Sequence, residues 1–148
     1  MGRTWIVVGH RSGIRILESR GPGAPLAVVR ETPFPYAELK GADVVTDRPG
    51  RKPHPGHLQA RRAAMEQQDP VKHYVELFAK QVADELDKDR ASGKFQRLVL
   101  VSEPSFLGML RDHLSETTSR MVEATLAKDL ADAEPTKVRE SLEDRILV

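Results

Sequence analysis

The spacing of apolar residues changes period along the chain and divides it into two patterned halves. Trp5 to Val8 is a short apolar run rich in β-formers, the pattern of a buried strand. After the turn residues Gly9-His10-Arg11-Ser12-Gly13, Ile14 and Ile16 alternate with Arg15 and Leu17. This predicts a second strand paired antiparallel with the first. Gly21-Pro22-Gly23 marks the next turn, and Leu26 to Glu31 reads as a third strand, completing a meander. From Thr32 the pattern dissolves. Pro33, Pro35, Gly41, Pro49, Gly50, Pro53, Pro55 and Gly56 interrupt any regular element across a long inserted loop, residues 33–69. Within it, Val44-Val45 suits a short strand and Gln59 to Gln67 has helix-forming composition.

Order resumes at Asp69-Pro70, a good N-cap followed by the residue favoured at the first helical position. Val71, Tyr74, Val75, Phe78, Val82 and Leu86 recur at steps of three and four, which gives a helix one apolar face, and Gly93 ends it. Tyr74 and Phe78 fit a core stripe better than a base-stacking platform. Leu98 to Val101 is a continuous apolar run, as in a central strand buried on both faces. Ser102-Glu103-Pro104 opens a second helix, with Ser102 expected as its cap and Phe106, Leu107, Leu110 and Leu114 inward. Met121 to Leu126 suits either a fifth strand or a continuing helix. Glu134-Pro135 starts a last helix, with Val138, Leu142 and Ile146 facing inward. The expected order is β-β-β, long loop, α-β-α-β-α. It is an α/β fold with a mixed sheet, a single domain over residues 1–148 and the order of ribonuclease-H-like folds.

Charge sharpens the view of the long loop. The chain has a formal net charge of +1, yet residues 48 to 62 carry five Arg or Lys and no acid. With +5 there, the remainder carries −4. A basic stretch on a mildly acidic body points to a local anion site. Cysteine is absent, which excludes disulfides, thiolate catalysis and Cys-ligated metal. No apolar run approaches the roughly 20 residues that span a bilayer. The first apolar run is too short for a signal sequence. A cytoplasmic protein without membrane insertion is expected, of unassigned oligomeric state.

The chemistry offered by the remaining residues is thin. A two-metal nuclease needs converging carboxylates, and Thr4 to Gly9 holds neither Asp nor Glu. Glu76 and Glu103 alone make a poor site of that kind. His54 and His57, with Asp43 and Asp47 upstream, have a spacing that suits partly charged, exposed imidazoles better than a metal site. No phosphate-binding loop, dinucleotide fingerprint or nucleophile elbow is present. Ser102 and Ser105 lie near His113 in sequence, but a capping role for Ser102 and a helix C-terminal position for His113 explain them. No metal or cofactor is expected. Arg48, Arg51, Lys52, Arg61 and Arg62 suit phosphate pairing. Gly56 permits close backbone approach, and His54 and His57 add polar contacts. The loop has no other aromatic residues, so backbone or shape recognition of structured RNA is favoured over base stacking.

Several stretches resemble a known family: Trp5-Ile-Val-Val, Leu39-Lys-Gly-Ala-Asp-Val-Val-Thr-Asp-Arg-Pro-Gly-Arg51, Asp69-Pro-Val-Lys-His73 with Phe78-Ala79, Phe95-Gln-Arg-Leu-Val-Leu-Val101, Pro104-Ser-Phe-Leu-Gly108 and Leu126-Ala-Lys-Asp-Leu130. The chain is similar to the bacterial host attachment protein family (protein required for attachment to host cells), grouped with relatives of the archaeo-eukaryotic peptide-release factors. The resemblance covers nearly the whole chain. It implies the ribonuclease-H-like fold of the release factor's middle domain. In that domain the loop before the first long helix carries Gly-Gly-Gln, which places a water on the peptidyl-tRNA ester. Pro55-Gly-His-Leu-Gln-Ala-Arg-Arg62 resembles that region. Gly56 matches one Gly, His57 replaces the second, and Gln59 is displaced by one residue. A side chain at the second Gly restricts the backbone the chemistry uses.

Together these features lead to an expected function: a translation-associated accessory factor, non-enzymatic or weakly hydrolytic, that binds the ribosome or structured RNA through residues 48–62. The alternatives are a rescue factor hydrolysing the peptidyl-tRNA ester, with Gln59 as its catalytic candidate, and a protein-interaction module linked to host attachment.

Overall fold

The computed structural model describes residues 2–10, 13–22, 24–36, 70–130, 132–143 and 145. These form strands β1 (Thr4–His10), β2 (Gly13–Ser19) and β3 (Ala27–Pro33), helix α1 (Pro70–Ala91), β4 (Arg97–Ser102), α2 (Pro104–His113), a short α3 (Glu116–Ser119), β5 (Val122–Ala127) and α4 (Pro135–Leu142). The fold is α/β. The strands make one open mixed sheet in the order β3-β2-β1-β4-β5. β2 pairs antiparallel with β1 and β3, while β4 runs parallel to both β1 and β5. The β1/β2 meander is long enough to register Thr4 against Ser19 and His10 against Gly13.

Alternation along the central strands sorts the core into two layers. Trp5, Val7, Ile14, Ile16, Leu98 and Leu100 face α1 and α2, where Phe78, Val82, Leu86, Phe106 and Leu110 meet them. Ile6, Val8, Leu17, Val99 and Val101 face the opposite way, toward Val138 and Leu142 of α4. β4 is therefore buried on both sides, which is why its sequence is continuously apolar rather than alternating. The apolar stripe of α1 lies where its spacing predicts, with Phe78 and Leu86 fully buried. Tyr74 packs partly buried against that layer.

Two local readings needed the structure. The segment at 121–126 is a strand: a four-residue helix, capped by Ser115 accepting from the Thr118 amide, turns the chain back into the sheet. The helix-forming residues Glu123 and Ala124 are overridden by the pairing of β5 with β4. The cap of α2 is Glu103, not Ser102: its carboxylate accepts from the amides of Ser105 and Phe106. Ser102 instead continues β4 and is buried.

The edge strand β3 is fastened by charge. Arg30 Nη2 donates to Asp89 Oδ2 at 2.7 Å near the end of α1, and the same guanidinium lies 5.7 Å from the centre of the Trp5 ring. Lys94 Nζ approaches the other Asp89 oxygen at 3.5 Å. Gly93, at φ 76°, reverses the chain between α1 and β4 in a conformation that suits glycine.

Candidate functional site

All of the sequence-derived site residues, Arg48, Arg51, Lys52, His54, Gly56, His57, Arg61 and Arg62, lie outside the described residues, as do Gln59 and the expected elements at Val44-Val45 and Gln59–Gln67. What the structure does describe is the mount from which that stretch leaves and to which it returns. The chain leaves through Phe34 and Tyr36 and re-enters at Pro70. Phe34 is buried edge-on against Phe78, with ring centres 5.4 Å apart. The Tyr36 ring lies 5.0 Å from that of Tyr74, and the Tyr36 hydroxyl accepts from Gln81 Nε2 at 3.0 Å. Both ends of the stretch are thus pinned to the first turns of α1 by aromatic contacts that combine area and geometry. Tyr74, read from the sequence as a core residue, also clamps this exit.

Beside this mount, α1 and α2 enclose a small depression of about 180 Å³ lined by His73, Glu76, Leu77, Lys80 and His113. The α1 residues are spaced at three and four, so they share one helix face. His113 is in the last turn of α2. Its Nε2 is buried, lies 3.5 Å from Glu76 Oε2, and has no hydrogen-bond partner among the described residues. The sequence offered Glu76 and His113 separately, and only the crossing of the two helices joins them. The other carboxylate weighed for a metal centre, Glu103, is committed to capping α2. Among the described residues no three His, Asp or Glu side chains are already gathered around a common point.

A second depression, on the α4 face, is lined by residues that include Gly13, Arg15, Glu31, Thr32 and Asp132. Arg15 dominates it. β-Pairing places Arg15 beside Val8, on the layer that faces α4. Its Nη2 donates to the carbonyls of Leu130 at 3.1 Å and Ala133 at 2.6 Å. In the sequence Arg15 reads as the solvent side of an alternating strand. The only hint to the contrary was that Val8, its partner across the pair, had to be buried.

A third polar cluster ties α1 to α3. Asp87 Oδ1 accepts from the hydroxyls of Ser115 at 2.9 Å and Thr118 at 2.5 Å, and Arg90 Nε donates to Thr118 Oγ1 at 2.9 Å. Thr118 is fully buried, so this cluster satisfies polar groups inside the fold.

Between β4 and β5, Arg97 makes a two-pronged contact to Glu123, at 2.6 and 2.9 Å. The guanidinium hydrogen bond holds the Glu123 carboxyl below its ordinary range and raises Arg97. A carboxyl held low in the folded state contributes stability above its unfolded pKa and loses it as pH falls through the folded value. Both side chains are well exposed, so Glu123→Gln should cost no more than about 0.2–1 kcal/mol at neutral pH. That deficit should vanish in acid, as followed by urea unfolding at a series of pH values. A deficit that is the same in acid and at neutral pH would show that the pair contributes nothing through its charge.

Among the described residues no helix is long and apolar enough to cross a membrane. Fifteen chains of solved structures match the fold. One of them, described as an archaeal protein, is 10% identical, with a TM-score of 0.50. The match covers 97% of this chain but 34% of that one, so this chain spans about a third of that relative's length. At that identity the likeness concerns the fold alone. No curated protein matches the sequence. A family model described as "protein required for attachment to host cells" matches residues 5–142, from the first residues of β1 to the end of α4. The chain belongs to that family.

Proposed function

We propose that the protein is a translation-associated accessory factor that contacts ribosomal or other structured RNA through residues 48–62. The observation that carries the reading is the charge partition: +5 in that stretch, against −4 in the remainder of the chain. The mount supports it. Phe34, Tyr36, Tyr74 and Gln81 fasten both ends of the stretch to one corner of a well-packed sheet. The exposed Lys72 and His73 follow directly on its return. Arg and Lys side chains neutralise phosphates and release counterions, which gives affinity without base stacking.

The reading extends to a ribonuclease-H-like fold akin to the release factor's middle domain. A five-stranded sheet with its first strand central and its second antiparallel supports that extension. In such a domain this stretch takes the position of the catalytic loop. His57 at a position that needs glycine favours binding over hydrolysis. The family description favours a second reading, a protein-interaction module acting in attachment.

Co-sedimentation with ribosomes tests the proposal. Association should weaken as salt rises, and the combined Arg51→Glu, Arg61→Glu and Arg62→Glu variant should bind at least about tenfold more weakly at low salt, with a shallower salt dependence. Unchanged association in that variant would sink the RNA-binding reading. Release of labelled peptide from peptidyl-tRNA by the wild type but not by Gln59→Ala would shift the assignment to hydrolysis. Recovery of surface proteins without ribosomal components would shift it to the interaction module.

A further inference from the structure

We propose that Glu76 and His113, with His73 one turn away on the same helix, form a binding site for a divalent transition-metal ion of the zinc class where α1 crosses α2. The geometry of the pair carries the inference. In a tetrahedral site with bonds of 2.0–2.1 Å, two ligand atoms stand about 3.3–3.4 Å apart. His113 Nε2 and Glu76 Oε2 stand 3.5 Å apart. His113 Nε2 is buried and finds no hydrogen bond among the described residues, so a group able to accept a metal is held without a competing donor or acceptor. A buried polar atom left in that state calls for a partner.

His73 supplies the third position. It lines the same depression and precedes Glu76 by three residues, a spacing that puts two ligands on one helix face. Its ring now lies against Tyr74, with centroids 5.6 Å apart, so it joins the pair by turning its side chain about its own bonds. Imidazole and carboxylate together suit zinc, cobalt or nickel over calcium or magnesium, which prefer oxygen alone. Lys80 lines the depression too and opposes a cation there. It is exposed on a flexible four-carbon stem, so it can swing away into water. An ion bound here ties the exit corner of α1 to the end of α2.

The test uses the full chain, titrated with Co2+ and followed by visible absorption, and with Zn2+ followed by calorimetry. The expected result is one ion per chain, in a tetrahedral cobalt spectrum. His113→Ala and Glu76→Gln should each weaken binding by about tenfold or more, since even outer-shell substitutions cost that much at metal sites. Glu76 has a side chain 55% exposed, so Glu76→Gln keeps the fold and reads the site rather than stability. The paired His54→Ala and His57→Ala variant should bind as the wild type does. Absence of ion binding, binding indifferent to Glu76→Gln and His113→Ala, or binding abolished by the His54 and His57 substitutions would each overturn the proposal.

Discussion

Phe106→Ala should destabilise the protein by about 3–5 kcal/mol, the range for deleting a buried aromatic side chain without collapse of its site. Phe106 is wholly buried on α2, with its ring centre 6.0 Å from that of Phe78. On its other side it lies directly on β1. A methyl group built on Gly9 would stand 2.8 Å from the ring. The ring therefore fills space that strand, helix and a missing side chain define together, and rigid strand backbone cannot close the gap after truncation. Folded domains of this size hold only about 5–15 kcal/mol in all, so the loss is a large share of the whole. The same contact makes a second, opposite prediction. Gly9→Ala should cost about 1–3 kcal/mol by overpacking, and Phe106→Leu in the same chain should return part of that cost. Urea unfolding of the two single variants and the double variant measures the coupling directly. Strict additivity would mean that the ring and the strand do not share this space.

The gross architecture was legible because burial and periodicity coincide in it. Trp5 to Val8, Leu98 to Val101 and the stripe from Val71 to Leu86 occupy the elements their spacing predicts. The misreadings have a common physical source, which is that local chemistry was competent for two roles. Ser102 is as good a cap as Glu103 by residue type. The turn from β4 into α2 decides between them, leaving Ser102 in the strand and aiming the Glu103 carboxylate at the helix amides. Residues 122–127 contain helix formers, but an open edge on β4 and the turn made by α3 draw them into the sheet. The candidate RNA-binding residues lie outside the described residues, so the sequence alone speaks for them. By contrast, the Glu76–His113 pair was invisible in the sequence. Its members come from different helices, and no spacing rule links residues on separate elements.

Arg15 is the second residue whose loss should be severe, for a reason opposite to that of Phe106. The α4 side of the sheet is covered among the described residues by little beyond Leu26, Leu130, Val138 and Leu142, and the turn leading into α4 is held by one guanidinium. Arg15 Nη2 donates to both Leu130 O and Ala133 O. Within the turn Leu130 O also accepts from the Ala133 amide at 3.0 Å, so it keeps a partner when Arg15 is removed. Ala133 O depends more on the guanidinium. Hydrogen bonds from a charged donor are worth about 1.5–3 kcal/mol each. With one acceptor partly compensated, Arg15→Ala should cost about 2–3 kcal/mol. Arg15→Lys should recover only part of this, because a single ammonium on a longer, freer stem does not reproduce the planar guanidinium at two carbonyls. The loss should also be local before it is global. Amide hydrogen exchange of Val138 to Leu142 should accelerate in Arg15→Ala more than exchange in β1 and β4, since α4 would open while the sheet and α1 remain packed. Equal acceleration throughout the chain would mean that Arg15 acts on overall stability and not as the anchor of α4.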